Sequence, residues 1–107
     1  MTMTSRIGIE RLGVYPCALS LSISELCERR GLDARNFVDR LFCDERSVVG
    51  PFEDVVTLAV NAARPMLTEE DRQAIRLLIV ATESSVDQEK PISSWVHRFL
   101  DLRPDCR

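Results

Sequence analysis

The run Leu77-Leu78-Ile79-Val80-Ala81-Thr82-Glu83 constrains this chain more than any other stretch. Four consecutive apolar residues, two of them β-branched, lead through a small residue and a threonine to a carboxylate. Continuous rather than alternating hydrophobicity is the mark of a strand buried on both faces, which requires helices or sheet above and below it. Such a strand delivers Glu83 at its carboxyl end, where open α/β sheets place their ligand crevices. Partial burial there would suit Glu83 to general acid/base work, whereas a solvated acid at a strand end would carry no chemistry.

The surrounding pattern supplies helices for that strand. Ile7 to Tyr15 is short and β-branched, ends before Pro16, and reads as a first strand. Ser22-Ile23-Ser24-Glu25 has the spacing of a capping box, and Gly31 ends the helix it opens. Asp33 is placed to cap a second helix over 34–41, with Phe37, Val38 and Leu41 on one face. Ser47-Val48-Val49 is a brief extended piece closed by Gly50-Pro51. A third helix runs from Glu53 to Arg64, its alanines suited to close packing, and Pro65 ends or bends it. Thr68 opens a short helical turn. After a polar loop at 87–91, Ser93 or Ser94 caps a last helix with Trp95, Val96, Phe99 and Leu100 inward. The class is α/β, but two or three strands cannot close a sheet covered on both faces, so the fold is expected to be incomplete on its own.

Composition excludes several functions. With 107 residues the chain holds one domain and one modest core. A net charge of −3 gives no basic footprint for nucleic acid, and no apolar run approaches the roughly 20 residues that cross a bilayer. Cys17, Cys27, Cys43 and Cys106 are irregularly spaced and accompanied by one histidine, which disfavours a metal site. Free thiols in a reducing cytoplasm are the simpler expectation, disulfides the minor one. His97 is the sole available base for a cysteine nucleophile, but its place in a helix between Val96 and Arg98 fits a surface or half-buried histidine better. Arg29, Arg30 and Arg35 either form a small basic patch for a phosphate or acidic partner, or a solvated face balanced by Glu28 and Asp39.

Three stretches together, IGIERLGVY, EDVVTLAVNAARPML and LLIVATESSVDQEK, resemble the N-terminal portion of 3-hydroxy-3-methylglutaryl-CoA synthases, condensing enzymes of the thiolase fold. The likeness spans nearly the whole chain with its spacing kept. It implies that residues 1–107 are the N-terminal segment of a thiolase-like synthase domain, with αβαβα layers, whose remainder lies outside this chain. The resemblance places the family's general acid/base at Glu83, which would deprotonate the acetyl group of a cysteine-bound thioester for condensation with a 3-ketoacyl thioester. It places the cofactor-facing residues at Asp33, Ala34 and Arg35, with Asn36 where relatives often carry a lysine near the CoA phosphate. CoA or a phosphopantetheine thioester is then substrate, and no tightly bound cofactor is implied.

The segment GPFEDVVT is closer to the polyketide β-branching relatives, in which an acyl-carrier protein brings the thioester. Carrier proteins are acidic, which makes Arg29, Arg30 and Arg35 docking residues in that reading. The mevalonate-pathway synthase using acetyl-CoA is the alternative, and a non-catalytic carrier-binding module is the alternative of another class. The family's nucleophilic cysteine follows in an ACY-type motif that this sequence does not contain. Cys106 and His97 do not match the family's catalytic pair, so the remainder of the synthase is an expected partner and the complete enzyme an expected homodimer.

Overall fold

The computed structural model describes residues 7–107. Side-chain caps at Ser22, Asp54 and Thr68 start three of the five helices among the described residues. Strand β1 (Leu19–Ser22) runs directly into helix α1 (Ile23–Arg30), because the Ser22 hydroxyl accepts the amide of Glu25 at 3.4 Å. Gly31 ends α1 with φ 64°, a left-handed conformation that glycine adopts without steric cost. Helix α2 (Arg35–Leu41) follows, and strand β2 (Glu45–Val48) returns antiparallel to β1, pairing Leu19 with Val48 and Ser22 with Glu45. Ile23 donates its amide to the Asp44 carbonyl at 2.9 Å, tying α1 to the start of β2. Ile23 and Cys27 are the buried residues of this lobe.

The second lobe is built on helix α3 (Val55–Ala63), begun by a reciprocal capping box. The Asp54 carboxylate accepts the Thr57 amide at 2.7 Å, and the Thr57 hydroxyl oxygen accepts the Asp54 amide at 2.7 Å. Pro65 converts the helix end into a single 3₁₀ turn, Arg64–Met66. Helix α4 (Glu69–Ala74) has its own capping box between Thr68 and Asp71, and helix α5 (Ile92–Phe99) packs across α3. Val56 and Val60 of α3 meet Ile92, Val96 and Leu100, with Leu102 and Cys106 completing the core. Ala59 and Ala63 pack against it, the close approach that their small side chains permit.

Four sequence expectations are corrected. Residues 7–15 form no strand. They lie extended along α3 and α4, held where Arg11 donates to the Met66 carbonyl at 2.6 Å and to the Asp71 carboxylate. Residues 77–82 have strand-like side-chain alternation but no ladder. Leu78 and Val80 face the core, while Leu77 and Ile79 are 63% and 79% exposed on a face that no layer covers among the described residues. On its edges the run has only Arg107, whose amide donates to the Arg76 carbonyl at 3.1 Å and whose carbonyl accepts the Leu78 amide at 2.8 Å, too little for a ladder. Helix α2 is capped geometrically by Ala34 rather than Asp33, whose carboxylate instead accepts the Arg35 amide at 3.0 Å from one position further out. Helix α5 starts at Ile92 after Pro91, so Ser93 and Ser94 lie inside it and cap nothing.

Candidate functional site

Glu83 stands where the sequence places it, at the end of the Leu77–Ala81 run, but it is exposed rather than partly buried. Its backbone is fixed from both sides. The Thr82 hydroxyl accepts the Ser84 amide at 3.1 Å and donates to the Ser84 carbonyl at 3.0 Å, a tight turn around the acid. Beyond it, the Ser85 hydroxyl accepts the Asp87 amide at 3.2 Å, and the Asp87 carboxylate accepts the amides of Glu89 and Lys90 at 2.9 and 3.1 Å. Those two amides hold Asp87 below the usual carboxylate range. Among the described residues, no hydrogen bond or ion pair engages the Glu83 side chain. An exposed, unpaired carboxylate on a backbone held in this way can exchange a proton with a group brought to it from outside.

The loop closes onto α5 through Lys90, whose ammonium lies 4.1 Å from the centre of the Trp95 ring. The Trp95 indole Nε1 is buried with no acceptor among the described residues. His97 is half-buried and its Nε2 lies 2.9 Å from the Arg103 carbonyl, a contact that fastens the turn after α5 to the helix. It lines a cavity of about 300 Å³ with Cys106, Ser93 and Ser94, and the structure gives it no role as the base of a nucleophile. All four cysteines are free thiols. No cluster of three or more metal-ligating side chains occurs among the described residues.

The second candidate group lies in the first lobe, and the structure records no contact between it and Glu83. Asp33 and Arg35 form a clasp: the Arg35 guanidinium reaches the Asp33 carboxylate with Nε at 3.1 Å and Nη2 at 2.8 Å. That side-chain donation, aided by the Arg35 amide, lowers the Asp33 pKa, and the carboxylate raises that of Arg35. Ala34 between them is half-buried. Arg29 is paired with Glu25 at 2.7 Å across one helical turn, so the partners of these arginines are Glu25 and Asp33 rather than Glu28 and Asp39. Arg30 carries no ion pair among the described residues and borders a cleft of about 320 Å³. Ile23, Leu26, Cys27, Phe37 and Cys43 form its apolar wall, and Arg46 of β2 supplies a second guanidinium.

Two polar groups escape sequence reasoning. Glu53 accepts the amides of Gly50 and Ala18 at 2.9 and 3.2 Å, joining the β1 approach to the start of α3. Asp71 binds Arg11 across 60 positions of sequence. An acid before a capped helix and an acid in a capping box both read as local devices, and no sequence signal reveals their distant partners.

No protein-family model matches the chain. The chain is 39% identical over 103 residues to the polyketide biosynthesis 3-hydroxy-3-methylglutaryl-ACP synthase PksG of Bacillus subtilis, an alignment covering 94% of this chain and 24% of that protein. It is 35% identical over 101 residues to the hydroxymethylglutaryl-CoA synthase of Enterococcus faecalis, covering 94% and 26%. Among solved structures, the HMG synthase of the curacin biosynthetic pathway superposes with a TM-score of 0.76 at 40% identity, covering 94% of this chain and 25% of that one, and it has been solved in complex with acetyl donor-ACP. An HMG-CoA synthase complexed with CoA gives a TM-score of 0.81 at 40% identity, over 96% of this chain and 26% of that one. The chain therefore spans about a quarter of the length of the relatives it matches, and it has the fold of that quarter, an α/β fragment of the thiolase-like architecture.

Proposed function

We propose, for a chain homologous over 94% of its length to hydroxymethylglutaryl-CoA synthases, that it works as the N-terminal segment of a synthase that condenses an acetyl thioester with a 3-ketoacyl thioester in polyketide β-branching. Glu83 is its general acid/base. The observation that carries this reading is Glu83, held by a Thr82–Ser84 backbone turn at the end of the apolar run with its side chain unpaired among the described residues, within the stretch that resembles the family's acid/base motif. The carboxylate takes a proton from the acetyl methyl group as the new carbon–carbon bond forms, and the thioester-bearing cysteine belongs to the remainder of the synthase. Asp33, Ala34 and Arg35 border the entrance for CoA or phosphopantetheine, which is substrate rather than resident cofactor. Arg29, Arg30 and Arg35 face an acidic acyl-carrier protein, and Arg30 is the one of the three without an intramolecular ion pair among the described residues. The complete enzyme is a cytoplasmic homodimer in this reading.

The test is Glu83→Gln in the assembled synthase. Condensation should fall by at least about 10²-fold while carrier-protein binding stays within about twofold, since general acid/base residues supply about 10²–10⁴ and the variant leaves the docking surface intact. Retained condensation would remove Glu83 from the mechanism, and lost binding without any activity to lose would favour a carrier-binding module. A second reading, the mevalonate-pathway synthase using free acetyl-CoA, is favoured by the likeness to the Enterococcus enzyme and to the CoA complex. Equal rates with acetyl-CoA and acetyl-carrier protein would select it.

A further inference from the structure

In the first lobe, the apolar cleft of about 320 Å³ carries two guanidinium groups at its rim. Arg30 lies one turn beyond Leu26 and Cys27 on α1, both of which wall the cleft, so no acid stands one turn back to pair with it. Asp33, three positions on, lies past the helix stop at Gly31 and is taken by Arg35. Arg46 sits on β2 opposite Leu21, and strand alternation sends its acidic neighbour Glu45 to the other face. Neither guanidinium has an ion pair or hydrogen bond among the described residues. At the base of the cleft Ile23 and Cys27 are buried, while Leu32 and Leu41 at its edge are exposed. Phe42, next after Leu41, is 88% exposed. An apolar hollow, a charged rim and an apolar edge facing outward are the parts from which protein interfaces build an anchor point.

We infer that this cleft is the docking socket for the acyl-carrier protein, taking one apolar side chain of the carrier's surface while Arg30 and Arg46 hold the carboxylates that flank it. The inference rests on the proposed function and narrows its docking face. Arg29 and Arg35 are committed to Glu25 and Asp33, whereas Arg30 is unpaired among the described residues and Arg46 joins it. The segment itself carries a net charge of −3, so bulk attraction does not draw an acidic partner to it. At physiological salt, exposed charges more than about 8 Å apart are largely screened, and docking has to come from local pairs set beside apolar surface. The cleft's volume stands at the lower end of the range of about 300–1,000 Å³ usual for ligand pockets, room for an anchoring side chain rather than a nucleotide. The exposed edge at Leu32, Leu41 and Phe42 extends the apolar surface beyond the cleft, as the contact with a protein partner requires.

Cys43 is a native reporter, since its half-buried thiol lines the cleft and that of Cys17 does not. The experiment is alkylation of the assembled synthase by iodoacetamide, read peptide by peptide with and without a carrier protein that the synthase accepts as acetyl donor. The carrier is used at saturation and without its phosphopantetheine arm, so that only protein surface can cover the thiol. It should slow alkylation of Cys43 severalfold and leave Cys17 unchanged. Arg30→Glu and Arg46→Glu should each weaken carrier binding at least about tenfold, by setting like charge against an acidic partner, whereas the same charge reversal at Arg98 of α5 should keep binding within about twofold. Bound carrier that leaves Cys43 reactive, or a Cys43 already closed to iodoacetamide in the assembly before carrier is added, would overturn the socket and leave the Glu83 mechanism standing. Protection of Cys43 in an assembly whose Glu83→Gln form still condenses would do the reverse. A synthase that accepts no carrier protein as donor would remove both the socket and the β-branching reading.

Discussion

Asp71 serves two partners with one carboxylate: the Arg11 guanidinium, and Thr68, whose amide and hydroxyl both donate at 2.7 Å. Donation by Arg11, followed by the Thr68 amide, holds its pKa far below the ordinary value of 3.8. A carboxylate whose folded pKa is depressed contributes stability above its unfolded value and loses it as pH falls through the folded one. Asp71→Asn should therefore lower Tm by a few degrees near pH 7 and flatten the loss of stability below about pH 4, as thermal melts between pH 2 and 7 would read; an unchanged acid limb would mean that the pair does not form in solution. Gly13 makes the other demand at this seam. A Cβ there would stand 2.6 Å from the Ala62 carbonyl oxygen, so Gly13→Ala should destabilise by about 1–3 kcal/mol in denaturant titrations. Neither contact is legible in the sequence, where Arg11 is one charge among many and Gly13 lies in what reads as a strand. Glu83 was legible as the acid at the end of an apolar run, but its exposure was not, because burial depends on what surrounds the run.

At the scale of the element, the chain is most readable where the chemistry is local. The Ser22 cap, the Gly31 stop, the Thr68 box and the third helix were all legible, since each is decided within about four residues by side chains that reach their own backbone. Asp54→Ala removes half of the reciprocal box and should cost about 1–2 kcal/mol. Val96, 2% exposed between α3 and α5, tests the packing: Val96→Ala should cost about 2 kcal/mol, from two methyl groups and the space they leave. The last helix shows where local reading misleads. Two serines suggest a cap, yet burial of Ile92 draws the first turn forward onto Pro91, whose fixed φ suits a helix start. The apolar run shows the opposite limit, since its composition reads as a strand while the ladder that would make it one depends on distant residues.

The whole molecule is open. Its radius of gyration is 18.2 Å, against about 13 Å for a compact domain of this length, and its axes measure 60 × 39 × 23 Å. Ile9, Leu12, Phe42, Phe52 and Ile79 are among the large apolar side chains left largely exposed, more than a free-standing domain carries. Alone in solution the chain should bind anilinonaphthalene sulfonate strongly and tend to associate. Assembly with the rest of the synthase should suppress the fluorescence severalfold, and a weak signal from the lone chain would show that it closes by itself. Unbroken hydrophobicity at 77–80 already required cover on both faces, and too few strands to provide it already implied an incomplete sheet. The sequence by itself determined the helix ends set by Ser22, Gly31 and Thr68, the class of the fold, and the acid at the end of the run, because those follow from patterns within a few residues. Only the tertiary structure decided which residues pair across the chain, that the run meets no strand among the described residues, and that Glu83 faces solvent, because each depends on groups far away in sequence or outside this segment.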